Sequence, residues 1–283
     1  YGHFLAALFI LAGGLSILET SANPYVVMLG PAETATRRLN LAQAFNPLGS
    51  ILGVVIGKLF ILSHLNQAGE AERAAMSAEE LGVIQRAELS AVMGPYVTVA
   101  LLIVLLWIAL ARTSFPRYGD GGELPPLGPA FRRLLGHRNY RRGVIAQFFY
   151  VGAQIGVWSF TIRYVMAELG LNEDDAASYY LAAIILFAIS RFICTAVMRY
   201  VAPHTLLATM ASLAALLTVT SMLVGGLPGV VALIAISGCM SLMFPTIYGL
   251  AVQGLGGDTK LGASGLIMAV LGGAVLTAVM GSV

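Results

Sequence analysis

The sequence predicts an all-α membrane protein with eight transmembrane helices, and three observations carry that prediction. Hydrophobic residues make up 58% of the 283 and charged residues only 11%, against roughly 25% charged in soluble domains. The apolar residues gather in continuous runs long enough to cross a bilayer, about 20 residues each. The basic residues concentrate in alternate loops between those runs. A soluble globule of this composition would lack the polar surface to cover itself, whereas hydrocarbon accepts apolar side chains outside. Barrel strands would instead show short alternating segments.

The eight runs cover 2–29, 39–65, 89–111, 144–167, 176–198, 206–224, 230–252 and 261–283. The longest polar linker, 112–142, follows the third. It holds Arg112, Arg117, Arg132, Arg133, Arg138, Arg141 and Arg142, seven of the 16 basic residues. An excess of this kind marks a cytoplasmic loop. Alternation then places Arg37, Arg38, Arg199 and Lys260 inside as well. It places Glu70, Glu72, Glu79, Glu80, Glu168, Glu173, Asp174 and Asp175 outside. Three spans before the linker and five after it predict two helix bundles, 1–111 and 143–283, joined by 112–142. Such a layout puts a ligand site near the midplane between the halves. Tyr1 stands close to an apolar run with no initiator Met, and Val283 ends another run. Both read as cut ends of a longer protein.

Inside the spans, Gly49, Gly53 and Gly57 stand four apart on one helix face, which lets helix backbones approach closely in lipid. Pro24, Pro47, Pro95 and Pro245 lie in or beside spans, where they can kink a helix and free backbone carbonyls. Cys194 and Cys239 sit in apolar stretches and read as small core residues. His3, His64, His137 and His204 lie at span ends or in loops without ligand spacing. There is no HExxH, Walker loop or GxSxG motif. The expectation is a protein that is neither an enzyme nor an ATP-driven pump. It should need no metal or cofactor and bind no nucleic acid.

Polar groups in hydrocarbon need a reason. An acid near a helix centre costs roughly 2.5–3.5 kcal/mol on insertion scales, and of 14 acidic residues only Glu19 lies deep in a span. Desolvation disfavours a charged carboxylate, so an acid here reads as a proton carrier, or else as a structural glutamate paired with a neighbouring helix. Asn23 follows four residues later on the same face. Asn40, Gln43 and Asn46, each three apart, form a polar stripe on the next span. Amides both donate and accept, which suits a ligand rich in hydroxyls or serves as glue between helices. Past the linker, Gln147, Tyr150, Gln154 and Trp158 step along one face. A flat indole there can pack on the C–H face of a sugar ring. Arg191 is a second buried ion, placed either to snorkel to the inner surface or to make a switchable ion pair or a sugar contact.

These residues carry a resemblance. Leu18-Glu-Thr-Ser-Ala-Asn-Pro-Tyr25, Leu29-Gly-Pro31 and Arg38-Leu-Asn-Leu-Ala-Gln-Ala-Phe-Asn46 resemble the fucose–galactose–glucose permeases of the major facilitator superfamily. So do Ala146-Gln-Phe-Phe-Tyr-Val-Gly-Ala-Gln154 with Trp158, Phe244-Pro-Thr-Ile247 and Gly257-Asp-Thr-Lys260. The likeness covers essentially the whole chain. It implies a two-bundle fold with twelve spans, of which this chain would hold the fourth to the eleventh. A second membrane acid would lie in the spans before it.

Glu19 and Trp158 look like the fucose branch, whereas Phe244 stands where that branch has a tyrosine. The resemblance therefore implies L-fucose–proton symport, by a monomer in the bacterial inner membrane. Glu19 would be the protonation site, and Gln43, Asn46 and Trp158 would be sugar contacts. Phe187 and Arg191 match pocket-region positions, and Tyr150, Gln154 and Asn23 complete the expected site. The expected partners are a monosaccharide (L-fucose or a related hexose), protons and the lipid bilayer. The rival readings are a sodium-coupled glucose/galactose transporter of the same fold and a sugar sensor that does not transport.

Overall fold

A computed structural model of the chain describes residues 2–61, 66, 70–115 and 126–282. Among these residues there is no strand, and eight helical stretches are long and apolar enough to cross a membrane. Helices follow from the solvent, because a segment in lipid must satisfy its own backbone polar groups.

The first stretch is α1 (Gly2–Met28). A 3₁₀ turn (Ala32–Thr34) leads into α2 (Ala35–Gln43), and the same span resumes as α3 (Asn46–Ile56) and a π-helical turn (Gly57–Ile61). The predicted end of this span, 62–65, lies outside the described residues. Next come α4 (Glu70–Ala75) and α5 (Ala78–Arg112), then α6 (Leu127–Gly136) and α7 (Arg138–Leu169). α8 (Glu173–Val197) and α9 (Pro203–Val224) are each unbroken. The last two spans are each split, into α10 (Gly226–Met240) with α11 (Met243–Ala251), and α12 (Thr259–Met268) with α13 (Leu271–Gly281).

The chain divides into two compact units, Leu48–Arg117 in one, and Tyr1–Pro47 with Tyr118–Val283 in the other. In the first, α5 opens on a capping box. Ser77 Oγ accepts from the Glu80 N–H while the Glu80 carboxylate accepts from the Ser77 N–H, which satisfies donors that a helix start leaves free. Arg73 of α4 pairs with Glu88 of α5. The rest of α5 buries no residue. Its Leu101, Leu105, Leu106 and Trp107 stand exposed, the arrangement hydrocarbon favours. The Gly49, Gly53 and Gly57 face stays open: a Cβ added at any of the three would meet no atom within 4 Å.

In the second unit, α10 and α11 form the most enclosed span. One core cluster joins Leu39, Tyr140, Tyr248 and Leu266; another joins Tyr150, Phe187, Ile236 and Met243. Close approach here does rest on glycine. A Cβ at Gly249 would meet the Thr36 Oγ1 at 2.8 Å, and one at Gly272 would run into the Phe148 carbonyl. Arg38 closes the end of α1. Its guanidinium donates to the Val26 and Val27 carbonyls at 3.3 and 2.7 Å, acceptors of the kind a helix C-terminus leaves without intrahelical partners, and to the Pro31 carbonyl beyond the helix at 2.8 Å.

The linker holds a helix that the span count did not assign. α6 is too short to cross a bilayer, so a search for long apolar runs passes over it. Ala130 and Leu134, four apart, are buried at 0% and 2% exposure. Arg133 reaches the carboxylate of Asp258 with two hydrogen bonds, 2.8 and 2.7 Å. That hydrogen bond raises the pKa of the Arg133 guanidinium and keeps the pair ionised.

Candidate functional site

The site is built where two spans break. A proline cannot donate to the carbonyl four residues before it. In the second span Pro47 leaves the Gln43 carbonyl without its helical donor, and the helix turns at Ala44 and Phe45 between α2 and α3. In the seventh span Pro245 does the same for the Ser241 carbonyl, and the chain turns there between α10 and α11. One side chain takes both orphans. Arg191 of α8 donates from NH1 to the Gln43 oxygen at 3.0 Å and from Nε to the Ser241 oxygen at 2.5 Å.

Arg191 is only 4% exposed, so its guanidinium stays inside the bundle rather than reaching for the inner surface. Its charge is met by carbonyl dipoles and by the face of Phe187, whose ring centre lies 4.6 Å away. A cation over a ring in a dry site is worth about 2 kcal/mol. Phe187 in turn meets Trp158 edge-on, with ring centres 4.9 Å apart. The Trp158 indole N–H donates to the Ser237 hydroxyl at 3.3 Å. Tyr150 donates from its hydroxyl to the Met240 carbonyl, at the end of α10, at 2.9 Å.

The amides do not act as one set. Gln43 Nε2 donates to Asn23 Oδ1 at 2.8 Å, which ties α2 to α1. The Asn23 Nδ2 group is then buried without a partner among the described residues. Asn40 turns elsewhere: it donates to the Thr36 carbonyl at 2.9 Å and to the Thr246 hydroxyl of α11 at 3.1 Å. It therefore works as glue between helices. Asn46 lies beyond the helix break and is exposed. The expected single stripe of Asn40, Gln43 and Asn46 is thus split, because Pro47 interrupts the helix that would have aligned it. Gln154 is buried. Gln147 is fully buried, and neither of its amide atoms finds a partner among the described residues.

Glu19 is half-buried on α1, with no hydrogen bond or ion pair among the described residues. The buried hydroxyl of Tyr248 on α11 also lacks a hydrogen-bond partner among the described residues. Ser237, Ser241, Thr246 and Tyr248 were not singled out from the sequence. Ser237 and Ser241 stand four apart in an apolar span, and that spacing was the available signal.

Across its length, residues 1–279 match the family described as the Major Facilitator Superfamily. The chain belongs to this superfamily. Superfamily relatives include the L-fucose-proton symporter of Escherichia coli (strain K12), 38% identical over 288 residues. The match takes in 100% of this chain and 66% of that one. The L-fucose-proton symporter of Haemophilus influenzae is likewise 38% identical, with 67% of it covered. A glucose/galactose transporter of Brucella abortus is 35% identical, with 65% covered. The chain thus spans about two thirds of the length of these relatives.

Among solved structures, the E. coli Fucose:proton symporter FucP matches all of this chain with a TM-score of 0.94 at 38% identity, over 70% of its own length. A structure of FucP in the outward conformation matches as well, with a TM-score of 0.94 over 69% of its length. The superfamily fold, with its multi-pass membrane helices, is therefore the fold of this chain.

Proposed function

We propose that this chain forms part of a monosaccharide–proton symporter of the bacterial inner membrane, with L-fucose as the sugar. The observation that carries the proposal is the cluster around Arg191. A buried guanidinium lies against Phe187, Trp158 stands edge-on to that ring, and an amide pair with a donor unpaired among the described residues stands beside the carbonyl the guanidinium grips. An arginine carries five N–H donors, and bonds to protein occupy two of them here. The others, with Asn23 Nδ2, can meet ring hydroxyls while the aromatic pair takes the apolar sugar face. Gln43, Asn46, Tyr150 and Gln154 complete the proposed sugar contacts.

Glu19 is the proposed proton carrier. It is an acid in a span without an ion-pair partner in the described residues, so sugar and proton binding can be coupled through its protonation. The halves 1–111 and 143–283 would move about the linker 112–142 to expose the site to each side in turn. Arg191 joins α8 to α2 and to the α10–α11 turn through carbonyls that the two prolines keep free. A change of access has to remake the bond to Gln43, which joins one proposed half to the other. The likeness to relatives named as L-fucose-proton symporters supports the choice of sugar and ion.

The test is uptake of labelled L-fucose into proteoliposomes under an imposed inward proton gradient or an imposed sodium gradient, with D-glucose and D-galactose as competitors. Accumulation should follow the proton gradient and yield to unlabelled L-fucose. Accumulation that follows sodium and ignores pH would replace the ion. Sugar binding without counterflow would replace the transporter by a sensor.

A further inference from the structure

The linker helix α6 carries two apolar stripes, and the described residues cover only one. Ala130 is buried, and Leu134 packs into the core with Tyr140 and Leu255. Leu127, Phe131 and Leu135, also four apart, stand exposed at 70%, 60% and 46%. Residues at this spacing line one side of a helix. A bare stripe of three large apolar side chains on a ten-residue helix is costly in water, so something apolar covers it.

What covers it can be read from the charges and from α7. Arg132 on α6 and Arg138, Arg141 and Arg142 on the first turns of α7 are all exposed. Arg133 is already paired with Asp258, and no other acid pairs with these arginines among the described residues. Arg141 NH1 donates to the Leu135 carbonyl at 3.3 Å, tying the end of α6 to the start of α7. One and two turns above Arg141 on the same face stand Ile145 and Phe149, both exposed and apolar. The face of α7 thus changes from apolar to arginine over about 6 Å, one helical turn of rise. That is the profile of a span crossing from hydrocarbon into headgroups. The positive-inside count places this end of α7 in the cytoplasm.

We propose that α6 lies in the cytoplasmic headgroup layer, with the Leu127, Phe131 and Leu135 stripe inserted toward the acyl chains. Arg132, Arg138, Arg141 and Arg142 hold anionic phospholipid headgroups around it. An amphipathic helix of this kind binds through buried apolar area together with attraction to anionic lipid. The same helix is fastened to the α11–α12 loop through Arg133 and Asp258. Lipid contact at α6 therefore bears on the bundle that holds the proposed site, although the proposal does not depend on what is transported.

A spin label at Phe131→Cys, in a background with Cys194 and Cys239 replaced by Ala, reads the environment directly. The purified protein is reconstituted in phosphatidylethanolamine–phosphatidylglycerol vesicles. The label should collide with oxygen, which partitions into lipid, and be shielded from a water-soluble nickel chelate. Access to the chelate, or shielding from both reagents, would overturn the proposal, the second by showing protein over the stripe. The charge claim has its own arm. Replacing phosphatidylglycerol by phosphatidylcholine, or changing Arg132 and Arg138 to Gln, should shift the label toward water. The shift should be about fivefold in the inserted-to-exposed ratio for each arginine, since a basic residue near an anionic surface contributes ~1 kcal/mol. Insertion that is equal in both lipid mixtures would contradict the role of anionic headgroups.

Discussion

Arg191 donates to the main-chain carbonyl of Gln43, the carbonyl that Pro47, four residues on, has no N–H to satisfy. A second such bond runs to Ser241, four residues before Pro245. Two prolines in two different spans thus prepare acceptors for one guanidinium. Neither acceptor would be free in an unbroken helix.

Arg191→Lys tests the fork. A lysine keeps the charge but presents a compact ammonium that cannot span both carbonyls in the same geometry. Hydrogen bonds to charged groups are worth about 1.5–3 kcal/mol. Loss of one should weaken sugar binding roughly ten- to a hundredfold, read by sugar-induced change in Trp158 fluorescence. Unchanged affinity would mean the second bond plays no part in shaping the site.

The paired substitution Pro47→Ala and Pro245→Ala restores both missing N–H donors. Each helix can then reclaim its own carbonyl, and Arg191 must compete for it. The fold should survive, because alanine suits a helix better than proline by about 3 kcal/mol. Sugar counterflow should slow more than equilibrium binding weakens. Transport at the original rate would make the two helix breaks incidental to alternating access.

Thr246→Val separates packing from transport. Asn40 is fully buried, and its contact across helices is the Thr246 hydroxyl. Removing that partner leaves a buried amide short of a bond, at a cost of about 1–3 kcal/mol. The detergent-solubilised protein should lose thermal stability, measured as the temperature at which half remains monodisperse, while sugar affinity stays near its original value. A loss of affinity without a loss of stability would move Asn40 from glue to ligand.

Much of the fold was legible because lipid imposes a simple rule on long apolar runs, so eight spans could be counted without knowing any contact. α6 was not, since a ten-residue helix with charges between its apolar stripes looks like the loop around it. The site was legible as types of residue rather than as partnerships. Gln43, Trp158 and Arg191 stood out as polar or amphipathic groups in the wrong solvent. Which carbonyls Arg191 would grip depended on bringing α2 and α10–α11 to α8, and spacing along one span holds no record of that. The separation of Asn40 from Gln43 was equally hidden, because it follows from the helix break at Ala44 and Phe45.

Glu19 carries the central claim, since it is the half-buried acid through which the proposed symport would couple sugar to protons. The most direct measurement compares wild type with Glu19→Gln in two assays on the same proteoliposomes, accumulation driven by a proton gradient and exchange of internal for external sugar. The amide keeps the shape but cannot ionise. Gradient-driven accumulation should fall to the level of empty vesicles while exchange persists. Accumulation that continued unchanged in the glutamine variant would contradict Glu19 as the proton carrier.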